Sequence, residues 1–111
     1  MTVQELIDSG IFGVVNAGEG LEREITKPFC CDLLSIAMGR APFGCAWVTV
    51  MGNMNTLAVA SLTETACIIL AEGVGLDEGT LKQAESEGIA VLTTELPVFY
   101  MALEVYEAGL S

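Results

Sequence analysis

Residues 46–70 read AWVTVMGNMNTLAVASLTETACIIL, and this stretch decides the fold. Two short apolar runs, Ala46 to Met51 and Cys67 to Leu70, flank a segment from Asn55 to Leu62 whose composition favours a helix. Strands that are apolar along their whole length are typical of parallel sheets, because helices cover both faces of such sheets. The stretch therefore predicts a β-α-β unit with parallel strands.

The same patterns predict short elements on both sides of this unit. Before it we expect a helix from Val3 to Ser9 and a strand from Ile11 to Val15. We then expect an edge strand from Glu22 to Thr26, whose pairing Pro28 limits. A short helix should follow through Met38, with Asp32 as its N-cap. After it we expect a helix from Asp77 to Glu87 that ends at Gly88, a strand from Ile89 to Thr93 and a helix from Pro97 to Ala108. Together they predict an α/β fold, a single small domain over residues 1–111 with a mainly parallel sheet of four to five strands and flanking helices.

The charge balance narrows the range of partners. The 111 residues include 15 acidic and 4 basic residues and no histidine, which gives a formal net charge of −11. Such a surface repels phosphate backbones and anionic headgroups, so we expect neither nucleic acid nor membrane as a partner. No apolar run approaches the roughly 18 residues that span a bilayer. The first residues lack the basic and apolar regions of a signal peptide, so we expect a cytoplasmic protein.

The cysteines do not form a recognisable ligand set. Cys30, Cys31, Cys45 and Cys67 lie in apolar surroundings without the Cys-x-x-Cys spacing of metal sites. Because the chain has no histidine to complete a ligand set, we expect no metal site and no cofactor. The preferred interpretation is that these are free, buried thiols that pack as small hydrophobic side chains.

The last predicted helix is apolar on two neighbouring stripes. One stripe consists of Val98, Met101, Ala102 and Val105, and the other consists of Phe99, Leu103, Tyr106 and Leu110. One stripe is enough to cover a sheet, so the second indicates burial against something else. A second copy of the chain would supply that cover and make a homodimer, which is the interpretation we prefer. The alternative is cover by the N-terminal segment of the same chain.

Small polar residues follow the predicted strands at their carboxyl ends, where ligands collect in parallel α/β sheets. Asn53 and Asn55 follow the first central strand, and Thr93 and Thr94 end the last strand. Their amide and hydroxyl groups are suited to hydrogen-bonding a small polar ligand. The alternative is that Asn55, Asp77 and Thr94 only cap helices.

Common catalytic and nucleotide-binding patterns are missing from the sequence. The segment that begins at Gly73 lacks the third glycine of the dinucleotide fingerprint, since Glu78 stands there. No P-loop pattern is present, and without histidine no Ser-His or Cys-His nucleophile pair can form. We therefore expect that the protein is not an enzyme.

Several short motifs stand in a fixed order along the chain. They are Glu22-Arg23 after a glycine-rich turn, Thr26, Asp32-Leu33-Leu34-Ser35, Gly44 before Trp47-Val48-Thr49, Asn55 at the start of a helix, and Gly88-Ile89. Together these motifs resemble the DRTGG domain family. The likeness covers essentially the whole chain. It implies a small α/β module similar to the N-terminal domain of HPr kinase/phosphorylase, a module that also occurs beside CBS domains and within some phosphotransacetylases. In those settings it is a regulatory or assembly element, with catalysis elsewhere.

The resemblance also extends the set of candidate ligand-binding residues. It adds Arg23, Thr26, Asp32, Ser35 and Thr49 to the residues at the strand ends. The family's Asp-Arg is Glu22-Arg23 here, and its Gly-Gly is replaced by Lys27-Pro28. Proline removes both flexibility and an N–H donor from this loop. For Arg23, the alternative to ligand binding is a strand-edge ion pair with acidic residues near it in sequence.

Three functional hypotheses follow. The first is a non-catalytic regulatory or protein-interaction module, homodimeric, that binds a partner protein or a small ligand at the strand carboxyl ends. The second is a nucleotide or metabolite sensor proper. The third is an enzyme with Cys30 or Cys31 as nucleophile, which requires that Lys27 or Arg23 depress the thiol pKa.

Overall fold

A five-stranded sheet with helices on both faces forms the fold of residues 1–110, the part of the chain that the computed structural model describes. The strands are β1 (Gly13–Asn16), β2 (Pro28–Cys30), β3 (Ala46–Thr49), β4 (Cys67–Leu70) and β5 (Val91–Thr93). The helices are α1 (Val3–Asp8), α2 (Leu34–Arg40), α3 (Met54–Leu62), α4 (Glu78–Glu87) and α5 (Val98–Leu110). Among these helices, none is both long and apolar enough to cross a membrane.

The sheet is mostly parallel. Its strand order is β1-β5-β4-β3-β2, and the four strands β2 to β5 pair in parallel. Strand β1 pairs antiparallel with β5 at one edge. The predicted α/β domain with a mainly parallel sheet is therefore confirmed.

Alternate residues of the central strands enter two separate cores, as the period of two in a strand requires. On one face, Ala46, Val48 and Ile69 pack with residues of α1 and α5, which are Val3, Leu6, Met101 and Val105. On the other face, Trp47, Ile68 and Leu70 pack with residues of α2, α3 and α4, which are Ala37, Leu57, Ala60 and Ala84. All of these side chains are buried. Helices α1 and α5 thus form one layer, and α2, α3 and α4 form the other.

The predicted edge strand from Glu22 to Thr26 is wrong. That segment carries only an isolated bridge between Thr2 and Glu24, and the edge strand is β2, which begins at Pro28. Proline is tolerated at the first position of an edge strand, where its missing N–H does not break the ladder. Phe29 of β2 pairs in register with Trp47 and packs into the core beside it, which favours this segment as the strand.

The remaining elements occur as predicted, with shifted ends. Strand β1 begins at Gly13 rather than Ile11, β5 begins at Val91 rather than Ile89, and α2 continues past Gly39 to Arg40. The expected caps of α4 are confirmed. Asp77 accepts a hydrogen bond from the Thr80 N–H at 2.8 Å, and Gly88 ends the helix in the left-handed conformation with φ of 67°.

Candidate functional site

The carboxyl ends of β2 and β3 are joined through one carboxylate. Thr49, which is buried, donates its hydroxyl to Asp32 Oδ1 at 2.7 Å, and the Val50 N–H donates to the same oxygen at 2.9 Å. Asp32 is therefore not the N-cap of α2, as the sequence predicted. Leu33 occupies that position and makes no side-chain capping bond, because leucine has no side-chain acceptor. The carboxylate of Asp32 is turned toward β3.

The N-terminus of α3 lies at the same edge of the sheet. Asn53 caps it, with Oδ1 accepting a hydrogen bond from the Thr56 N–H at 3.1 Å. The prediction that Asn55 caps this helix is wrong by two residues, since Asn55 lies within the first turn and is exposed. Ser35, in the first turn of α2, is also exposed.

Thr93 and Thr94 lie at the carboxyl end of β5 and line a cleft of about 370 Å³ with Ile11, Phe12, Gly13, Glu95 and Leu96. The Thr93 hydroxyl donates to the carbonyl of Val74 at 3.2 Å. The Thr94 hydroxyl accepts from the Leu96 N–H at 3.2 Å. Thr94 is therefore not a helix cap, because α5 begins at Val98 and the hydroxyl holds the turn before it.

Arg23 and Thr26 lie at the opposite edge of the sheet, beside the segments that lead into β3 and β4. Arg23 donates from Nη1 to the carbonyl of Thr65 at 3.0 Å and from Nη2 to the carbonyl of Glu64 at 2.7 Å. The Thr26 hydroxyl donates to the carbonyl of Phe43 at 2.8 Å. The expected ion pair between Arg23 and acidic neighbours in sequence is wrong, because the guanidinium reaches across the fold to backbone carbonyls.

The Arg23 contacts hold a strained turn. Glu64 has φ of 55°, in the left-handed region that non-glycine residues rarely adopt. Its carbonyl accepts both from Arg23 and from the Gly44 N–H at 2.9 Å, so the strain is offset by these long-range bonds. A cleft of about 240 Å³ lies beside this turn, lined in part by Arg23, Ser61, Glu64 and Glu87. The left-handed Glu64 had no signal in the sequence, because nothing about a glutamate favours that conformation.

The cysteines divide into a buried pair and an exposed pair. Cys45 and Cys67 are buried, as predicted, and burial raises the pKa of Cys67 to about 12. Cys30 is exposed and Cys31 is half-buried, so the prediction of buried thiols is wrong for these. Partial desolvation, with the Asp32 carboxylate as a second cause, raises the pKa of Cys30. Among residues 1–110, no three acidic or cysteine side chains converge in a way that would hold a metal ion.

Helix α5 buries one of its two predicted stripes and exposes the other. Met101 and Val105 are buried in the core. Phe99, Leu103 and Tyr106, which we call the α5 stripe, are 67%, 39% and 54% exposed. The N-terminal segment of the chain does not cover them, because α1 packs against the buried stripe instead. The side chain of Leu110 lies outside the described residues.

The sequence did not single out Tyr100, which extends the exposed surface of α5. Its ring contacts Phe99 edge-on, with centroids 5.5 Å apart and an interplanar angle of 77°. Tyr100 is more than half exposed, as is Phe99. Tyr100 belongs to neither stripe, because it projects on the side of the α5 stripe that carries Glu104 and Glu107. An aromatic residue adjacent to a stripe is nevertheless a signal that could have been used.

The candidate residues thus fall into separate groups. Thr49 and Asp32 touch each other, and Asn53, Thr93 and Thr94 share their edge of the sheet. Arg23 and Thr26 lie at the other edge, and the α5 stripe is a third surface. No protein-family model matches this chain, and no curated protein matches it either.

Proposed function

We propose that this chain is a non-catalytic regulatory module that acts through protein–protein contact, and that it forms a homodimer through the α5 stripe. The observation that carries the proposal is the exposure of Phe99, Leu103 and Tyr106 on one side of a helix whose other side is buried. Single exposed apolar residues are ordinary on a protein surface. A contiguous helical row that includes two aromatic rings supports an interaction surface here, because the largest apolar patch of a protein is often functional.

Burying this row of side chains against a partner is favourable in free energy. Aromatic side chains contribute most to interfaces, since each buries about 150–250 Å² when fully covered. At roughly 25 cal/mol per Å² of apolar area, covering rings as exposed as Phe99 and Tyr106 stabilises a complex by several kcal/mol before the cost of association is subtracted. A second copy brings the same row, and such isologous contacts are the commonest in homo-oligomers.

The polar groups at the two sheet edges support a non-catalytic role. Arg23, Thr26 and Thr49 are hydrogen-bonded to other parts of the fold. The raised pKa of Cys30 keeps its thiol protonated at neutral pH, which opposes a cysteine nucleophile. The resemblance of the sequence to the DRTGG family favours the same regulatory or assembly role.

Sedimentation equilibrium with matched variants tests the proposal. We expect the wild-type chain to dimerise at micromolar concentration, and Leu103→Glu to abolish the dimer because it places a charge in the apolar row. Leu62→Glu is the control, since Leu62 is even more exposed but lies at the end of α3 in the other helix layer. A wild-type monomer at about 100 μM, or equal effects of the two substitutions, would contradict the proposal.

A ligand sensor is the second candidate function, and the cleft beside Thr93 and Thr94 favours it. That cleft lies at a strand carboxyl end, where ligands collect in parallel α/β sheets, and Thr93 and Thr94 line it. A thermal-shift screen over nucleotides and small metabolites tests this function. We expect a binding compound to raise the melting temperature of wild type but not of Thr94→Val. A screen in which no compound shifts the melting temperature would retire the candidate.

A further inference from the structure

We infer that the two copies pair with their α5 helices parallel, so that Lys27 of one protomer lies against Glu107 of its partner. This inference rests on the proposed function, because it specifies how the α5 stripe of one copy meets that of another. It follows from the different chemistry of the two sides of the stripe.

One side of the α5 stripe is acidic and the other is bordered by a lysine. At about 3.6 residues per turn, Glu104 and Glu107 project to one side of the stripe and Gly109 to the other. Lys27 lies on the Gly109 side, since Lys27, Tyr106 and Gly109 line the same cavity of about 150 Å³. Lys27, Glu104 and Glu107 are all exposed.

The other basic residues cannot take the place of Lys27 at this surface. Arg23 is bonded to backbone carbonyls at the amino edge of the sheet. Arg40 lies on α2 and Lys82 on α4, both in the opposite helix layer. Lys82 also lies 3.5 Å from Glu78 of its own helix. Among residues 1–110, Lys27 is therefore the basic side chain that borders the α5 stripe. The ammonium group of Met1 lines the same cavity but is paired with Glu24 at 3.1 Å.

The two ways of pairing α5 about a two-fold axis differ in which sides meet. An axis perpendicular to the helix direction, in the plane between the helices, makes the two helices antiparallel. The acidic side of one helix then faces the acidic side of the other, so the two sides repel. An axis along the helices makes them parallel and sets the acidic side against the lysine side. This second axis also keeps each residue at the same level along the helix axis in both protomers. Lys27 is level with the turn that holds Tyr106 and Gly109, and Glu107 belongs to the same turn.

The size of the stripe requires that its sides take part in the contact. A stable interface buries about 800 Å² on each partner. The exposed portions of Phe99, Tyr100 and Tyr106 provide roughly 350 Å², given about 150–250 Å² for a whole aromatic side chain. The remainder has to come from the flanks, where the charges lie. Charges at the rim of an interface decide orientation more than affinity, so Lys27 and Glu107 select the parallel arrangement.

Charge reversal tests the orientation in the full chain. At about 150 mM salt, we expect Lys27→Glu to weaken the wild-type dimer about 10-fold, because two rim ion pairs are replaced by two repulsive contacts. Glu107→Lys should weaken it similarly, and the double variant should regain an affinity within about 3-fold of wild type. The controls are Lys82→Glu and Glu85→Lys on α4, which change the net charge equally but lie in the other layer.

The outcomes separate this inference from the proposed function. If the wild-type chain stays monomeric at about 100 μM, the homodimer and its parallel arrangement are both wrong, and the occupant of the α5 stripe is a different protein. If the chain dimerises and Leu103→Glu disrupts the dimer, the proposed function stands. The parallel arrangement is then overturned if Lys27→Glu matches Lys82→Glu, if Glu107→Lys tightens the dimer relative to Glu85→Lys, or if the double variant does not recover.

Discussion

The amino ends and the carboxyl ends of the strands form two opposite edges of the sheet, and side-chain hydrogen bonds differ between these two edges. At the amino edge, Arg23 and Thr26 reach backbone carbonyls that lie 17 to 42 residues away in sequence, and they fasten the turns that lead into β3 and β4. At the carboxyl edge, Asn53 and Asp77 bond to N–H groups only three residues away, as helix caps do. Thr49 and Thr93 at the same edge donate to partners 17 and 19 residues away. Polar residues that look equivalent in sequence therefore serve the whole fold at the amino edge, whereas at the carboxyl edge some cap single helices and others make long-range bonds.

The largest effect is expected from Arg23→Met. This change removes two charge-assisted hydrogen bonds to backbone carbonyls and leaves the left-handed Glu64 turn poorly held, so we expect a loss of about 3 kcal/mol in the free energy of unfolding. Urea unfolding at pH 7 measures it. Arg40→Met, at an exposed position in the last turn of α2, should cost about 0.5 kcal/mol or less. Equal losses would mean that Arg23 does not fasten the amino edge.

Thr49→Val tests one of the long-range bonds at the carboxyl edge, where the Asp32 contact spans 17 residues. Valine keeps the volume but removes a buried hydroxyl that donates to Asp32 and accepts from the Met51 N–H, so we expect a loss of about 1–2 kcal/mol. Thr26→Val is the matched change at the amino edge. Its hydroxyl is exposed, so urea unfolding should show a loss of about 1 kcal/mol or less. A larger loss for Thr26→Val would reverse this ranking.

Asn53→Ala and Asn55→Ala separate a cap from a neighbour of the same type. We expect Asn53→Ala to lower the free energy of unfolding by about 1 kcal/mol, because it leaves the Thr56 N–H without its capping oxygen. Asn55→Ala should change it by about 0.5 kcal/mol or less, since Asn55 is exposed within the helix. Thermal or urea unfolding of both variants distinguishes them. A larger loss for Asn55 would restore the assignment made from sequence.

The smallest effect concerns acid stability at the Asp77 cap. The backbone N–H of Thr80, followed by its hydroxyl, lowers the pKa of Asp77 below its ordinary value of 3.8. Ionised Asp77 thus stabilises the fold above pH 3.8, and that contribution is lost as the pH falls through the lowered folded-state pKa. Asparagine caps as well but does not titrate in this range. We expect the urea midpoint of Asp77→Asn to fall less than that of wild type between pH 7 and pH 2.5; an equal or larger fall would count against the cap.

Sequence patterns predicted the elements better than the side-chain partners. The caps of α4 are local arrangements, with partners three or four residues apart, and they appear as expected. The edge strand was misplaced because pairing of β2 depends on the fit of Phe29 beside Trp47, which are far apart in sequence. Asp32 was misassigned for the same reason. A carboxylate accepts hydrogen bonds both as a helix cap and from a neighbouring strand, so the residue type does not distinguish the two roles.

The candidate site was predictable only in part. Sequence placed Thr93, Thr94 and Asn53 at strand carboxyl ends, and the parallel sheet brings those ends to one edge. The sequence did not separate Arg23 and Thr26 from that group. Residues that are close in a sequence motif can lie at either the amino or the carboxyl edge of the sheet. The second stripe of α5 was visible in the sequence, and the fold leaves it uncovered.

Local chemistry alone determined that the chain alternates short apolar strands with helices, because side-chain periodicity and capping act over a few residues. Tertiary structure decided which segment pairs at the sheet edge, which carbonyls Arg23 holds, and which stripe of α5 faces outward. These depend on contacts between residues tens of positions apart. Such contacts form only after the layers have packed, so the free energy that selects among them is absent from any short window of sequence.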